Sequence, residues 1–163
     1  GAATLLDAAA EAGIGPVRYV GRCSDTLRHR LLERAAERGV EIELLGWRPH
    51  AEAMAIAGRA MVGVSPLHDT PNYRHSLPTK TLEYLAMGTP VIASDLPGTR
   101  DVIGSLPGVR FVPAGDIEAL AEAFESIGDG FVEEAIEGAA DVRNRYRWPA
   151  DEVRAFYSSL LDG

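Results

Sequence analysis

Residues 76–94 read SLPTKTLEYLAMGTPVIAS, and the reading of this stretch decides the fold. Its front half looks like the start of a helix, with Ser76 placed to cap it and Pro78 suited to a first turn, where a missing N–H costs nothing. Its end, PVIAS at 90–94, is a short apolar run without polar alternation, as expected of a strand covered on both faces. A helix running into a buried strand is the unit from which α/β sheets are built.

Working outward, similar runs recur as VRYV at 17–20, EIELL at 41–45, MVGV at 61–64 and RFV at 110–112. Helical patterns lie between them. Leu27, Leu31 and Ala35 repeat at helical spacing between an expected Asp25 cap and a stop at Gly39. Ile117, Leu120, Ala121 and Phe124 do so behind Asp116 as N-cap. The segment TLLDAAAEAG opens the chain as a helix, with Leu5, Leu6 and Ala9 inward. The tail from FVEEAIEG reads as two helices broken at Trp148 and Pro149, a helical appendage without a strand. The expected class is α/β, a Rossmann-like doubly wound parallel sheet, and the whole chain 1–163 is expected to form a single domain.

Composition narrows the function. With 46% hydrophobic and 25% charged residues the chain has an ordinary globular balance, so disorder is not expected. A net charge of −8 argues against binding nucleic acid or anionic lipid, both of which need a cationic surface. Arg28, Arg30, Arg34 and Arg38 recur at helical spacing and read as a solvated face. Cys23 is alone, which removes a disulfide framework and fits a reducing compartment, and no run approaches the ~18 apolar residues of a membrane span. A cytoplasmic location follows as the expectation.

Neither a dinucleotide fingerprint nor a Walker loop is present, so no NAD, FAD or other cofactor is expected. In open parallel sheets ligands bind beyond the carboxyl ends of the strands. The longest loop there is SPLHDTPNYRHSLPTK at 65–80. The N–H groups of Leu77, Thr79 and Lys80 would meet a ligand together with the positive end of the helix dipole, a natural site for phosphate. Lys80 adds a full charge, and Glu83, four residues beyond Thr79, is able to accept hydrogen bonds from two ribose hydroxyls. The plain alternative is a capped helix with a surface Lys80–Glu83 ion pair. His68, Asp69 and His75 share the loop without a metal-ligand spacing, and no metal is expected.

At these residues the chain resembles a family. GWRPHAEAMAIAGRAMVGVSP, SLPTKTLEYLAMGTPVIASDLPGTRDVIG and GVRFVPAGDIEALAEAF look like the C-terminal, nucleotide-sugar-binding half of group 1 (family 4) retaining glycosyltransferases of the GT-B fold. The resemblance implies transfer of a sugar from a nucleotide diphosphate sugar, a UDP-sugar by preference, without a metal. The second glutamate of the family's motif falls on Glu83, as ribose holder. The first falls on His75, which takes its place at the donor sugar as the candidate catalytic residue. Ser76, Leu77, Thr79 and Lys80 would hold sugar and diphosphate, and Trp47 and Arg48 would lie at the nucleobase. Trp148 and Tyr157 fit the family's closing helices.

The resemblance further implies an N-terminal acceptor-binding domain on the same polypeptide. That domain would permit a lipid-linked acceptor and an approach to the inner membrane face. It implies also a first strand, central in the order 3-2-1-4-5-6, that these residues lack; its loss would leave two unpaired edges inside the sheet. A GT-B epimerase half and a noncatalytic Rossmann-like interaction module are the alternative readings.

Overall fold

The computed structural model describes residues 1–147, with residues 150, 151, 154, 155 and 158 beyond them. Five strands alternate with helices. α1 spans Ala2–Glu11, β1 Val17–Val20, α2 Asp25–Arg38, β2 Ile42–Gly46 and α3 His50–Ala57. They are followed by β3 (Gly63–Ser65), α4 (Pro71–Arg74), α5 (Thr79–Ala86) and β4 (Val91–Ser94). The described chain closes with α6 (Pro97–Ile103), β5 (Val109–Val112), α7 (Ile117–Glu125) and α8 (Asp129–Arg145). The expected helical break at Trp148 and Pro149, and Tyr157, lie outside the described residues.

Every pairing is parallel. β1 pairs with β2, and β3, β4 and β5 form a second ladder with Val91 of β4 between Gly63 and Val109. Among the described residues no hydrogen bond joins β1 to β3. A cavity of about 520 Å³ separates them, lined by Val17, Arg18 and Val20 on one side and Val62, Gly63 and Val64 on the other. The sheet is thus divided at the point where a central strand was expected to be missing.

β4 is the most deeply placed strand, with all four residues buried. Its side chains alternate: Ile92 enters a cluster with Ala8, Val112, Leu120 and Phe124, whereas Val91 and Ala93 enter one with Leu85, Ile103 and Val142. A strand covered by helices on both faces needs apolar residues at every position, which is why VIAS shows no alternation. β1 and β2 are only partly buried and share a smaller cluster with Leu6, Leu31 and Ala35.

Two local expectations change. Ser24, not Asp25, caps α2: its extended backbone lets the hydroxyl accept from the Leu27 N–H (3.2 Å), while Asp25 occupies the first turn, where its charge favours the helix dipole. The arginine face of α2 is not uniformly solvated either. Arg34 grips both oxygens of buried Asp7 (2.8 and 2.9 Å) and Arg38 reaches the same carboxylate at 3.2 Å. A buried carboxylate needs cations and donors around it, and α2 supplies them to α1.

Candidate functional site

The loop from β3 to α5 leaves the carboxyl edge of the sheet and contains one unforeseen element, the single turn α4. Ser76 does not cap α5. Its hydroxyl donates back to the Tyr73 carbonyl (3.2 Å), and the N-cap position belongs to Pro78, one residue earlier than the first-turn role expected for it. Thr81 closes the helix start from within, its N–H and its hydroxyl both donating to the Pro78 carbonyl at 2.9 and 2.7 Å. The N–H groups of Leu77, Thr79 and Lys80 find no acceptor among the described residues. They form an uncapped helix head with its donors free.

The Lys80–Glu83 surface pair does not form. Both residues are half-buried, and neither has an ion-pair partner among the described residues. Burial holds the Lys80 ammonium below the ordinary lysine range. A cation desolvated without a counter-ion is an unfavourable arrangement that a bound anion relieves. Lys80 and Glu83 line the cavity between β1 and β3 together with Tyr84, a residue that sequence reasoning passed over. The Tyr84 ring lies so close over Gly63 that a Cβ there would overlap the ring carbons. Its phenol is pushed up, by burial first and by the Glu83 carboxylate second. The signal for this contact is the bare glycine inside MVGV, where a ring approaches the strand.

The other candidates are more dispersed. His75 ends α4 and is exposed, with its backbone against the first turn of α6. Trp47 (62% exposed) and Arg48 follow the carboxyl end of β2 and do not line the cavity of Lys80 and Glu83. Asp69 pairs with Arg74 (3.1 Å), and no three His, Cys, Asp or Glu side chains gather as a metal-ligand group among the described residues. No described helix is long and apolar enough to cross a membrane.

The arrangement defines a class: a Rossmann-like parallel sheet of the kind that forms one half of a GT-B fold, followed by C-terminal helices. Solved structures of other proteins share it, among them the following. Sucrose-phosphate synthase from Thermosynechococcus elongatus aligns over 99% of this chain and 42% of its own, with TM-score 0.76 and 23% identity. HepE from Anabaena, in complex with UDP and glucose, aligns over 95% of this chain and 44% of its own (TM-score 0.71, 17% identity). The catalytic domain of cholesterol-alpha-glucosyltransferase from Helicobacter pylori aligns over 87% and 88% (TM-score 0.64, 17% identity).

The chain belongs to the glycosyl transferases group 1 family, whose model matches residues 3–129. Among curated proteins it is similar to the phosphatidyl-myo-inositol mannosyltransferase of Mycobacterium leprae (strain TN), 35% identical over 83 residues. That match covers 48% of this chain and 22% of the relative, so the chain corresponds to a minor part of that protein's length.

Proposed function

We propose that this chain is the C-terminal, donor-binding half of a retaining, metal-independent glycosyltransferase that uses a UDP-sugar. The observation that carries the reading is the head of α5, where a helix dipole, three N–H groups and a desolvated Lys80, all without a partner among the described residues, converge at the carboxyl edge of a parallel sheet. A diphosphate supplies what that arrangement lacks.

In this reading the N–H groups of Leu77, Thr79 and Lys80 hold the diphosphate, whereas the N–H and hydroxyl of Ser76 are both engaged by the Tyr73 carbonyl and keep the loop in place. Glu83 accepts from the ribose hydroxyls. Trp47 and Arg48 stand at the same carboxyl edge and meet the base, and His75 lies at the sugar. Breaking the bond between anomeric carbon and phosphate places negative charge on the nucleotide diphosphate. Fixed donors and a cation stabilise that charge more in the transition state than in the ground state. The acceptor attacks from the face the diphosphate leaves, which retains the anomeric configuration. The UDP named with Anabaena HepE supports the choice of carrier, and the lipid in the name of the mannosyltransferase supports a lipid-linked acceptor. The acceptor is held by an N-terminal domain of the same polypeptide, which could bring the enzyme to the inner membrane face. A preceding strand fills the gap between β1 and β3.

Calorimetric titration of the complete polypeptide with UDP, GDP and ADP tests the reading. UDP is expected to bind most tightly, and Lys80→Ala or Glu83→Ala to weaken it. Failure of all three nucleotides to bind the folded wild type would end the proposal.

A further inference from the structure

Gly98 is the second residue of α6, and its backbone is not in the left-handed region that calls for glycine. Helix propensity favours alanine there by roughly 1 kcal/mol. Packing explains the glycine. A Cβ at position 98 would lie 2.7, 2.9 and 3.0 Å from the carbonyl carbon, Cα and oxygen of His75. All three are backbone atoms, so no side-chain rotation relieves the overlap, and ordinary carbon contacts of ~3.5–4.0 Å would require a displacement of nearly 1 Å.

The helix is poorly placed to be the partner that yields. Asp95 and Arg100 close the turn around Gly98 with a bidentate pair (2.7 and 2.6 Å), and the Arg100 guanidinium lies 4.3 Å from the centre of the Phe111 ring. Leu96, Thr99 and Ile103 on the same turn and helix are buried, at 1%, 1% and 0% exposure. The segment that gives way is the exposed one, the loop that carries His75 and runs through Ser76 and Leu77 into the head of α5.

We propose that Gly98 is a positioning residue for the donor site, its missing side chain setting the height at which the 75–80 segment crosses α6. The proposal rests on the donor-site reading above for its functional consequence, though not for its structural one. Misplacing a binding loop by about 1 Å costs up to ~100-fold. Gly130 provides a matched control: it is the second residue of α8, its φ is likewise outside the left-handed region, and a Cβ there meets nothing within 4 Å.

The experiment compares wild type, Gly98→Ala and Gly130→Ala in the complete polypeptide. The amide resonances and exchange rates of Ser76, Leu77, Thr79 and Lys80 are recorded, and then the affinities for UDP and UDP-glucose. Gly98→Ala is expected to shift those amides and accelerate their exchange, and to weaken UDP-glucose ten- to a hundred-fold. Gly130→Ala is expected to change neither. Unaltered amides in Gly98→Ala overturn the inference whether or not any nucleotide binds. A shifted loop with wild-type affinity removes its functional half. A wild type that binds no nucleotide counts against the donor-site reading while the amide comparison still decides the packing.

Discussion

Lys80 is held in the wrong environment for a cation, and the sign of that effect makes it testable. Because its folded-state pKa lies below the ordinary lysine value of 10.5, the folded protein binds fewer protons than the unfolded chain between the lowered value and the ordinary one. Stability therefore rises with pH through that window, and the charged form costs stability below it. Lys80→Met is expected to raise the melting temperature of the unliganded protein, by on the order of 2–4 °C for each kcal/mol of desolvation relieved, while lowering UDP affinity. Calorimetry on wild type and variant checks both; a variant that melts lower contradicts the account. UDP affinity of the wild type should also fall as pH climbs into Lys80's depressed range, before an exposed lysine would titrate. Glu83→Ala should lose affinity about ten- to a hundred-fold, the value of hydrogen bonds to a charged acceptor, and isothermal titration with UDP reads it directly.

At the scale of elements, caps separate what was legible in the sequence from what was not. Asp116 caps α7 as its position suggests, accepting from the Ala119 N–H at 3.0 Å, and Gly39 ends α2 in the left-handed conformation. Ser24 and Asp25 are adjacent residues of similar capping strength, and only the backbone angles decide between them. Ser76 has the right identity but is drawn to the Tyr73 carbonyl of α4, a turn whose short Pro-Asn-Tyr-Arg sequence carries no periodicity to betray it. In chemical denaturation, Ser24→Ala and Asp116→Ala should each cost about 1 kcal/mol, whereas Ser76→Ala should stay close to wild type. An equal loss at Ser76 would return it to the role of cap.

The strands were visible in the sequence for a related reason. Double-sided burial leaves β4 without polar alternation, so it stands out without long-range information. Contacts between distant segments do not announce themselves in this way. The grip of α2 on Asp7, the Tyr84 ring on Gly63 and the His75 backbone on Gly98 each join residues whose types alone suggest a surface charge, a strand filler and a turn.

For the whole molecule the divided sheet has the largest consequence. If a strand lies between β1 and β3 in the complete polypeptide, the backbone amides on their facing edges are hydrogen-bonded there and open in residues 1–163 alone. Hydrogen exchange should then be fast for those amides in the shorter chain and slow by orders of magnitude in the longer one, with β4 protected in both. Similar exchange at the facing edges of β1 and β3 in the two proteins would remove the strand from the proposal.

The two parts of the sheet also share a wall. α1 turns Leu6 toward Leu31 and Ala35 beside β1 and β2, and Ala8 toward Ile92, Leu120 and Phe124 beside β4 and β5. One ten-residue helix thus belongs to two cores at once. It is a mechanical coupling, and its strength sets whether the halves melt as one cooperative unit or as two. Enlarging Ala8 to leucine should loosen one side of the joint by ~1–3 kcal/mol, so that a single denaturant transition broadens toward two steps with a smaller apparent m-value. Each half would then melt at its own midpoint.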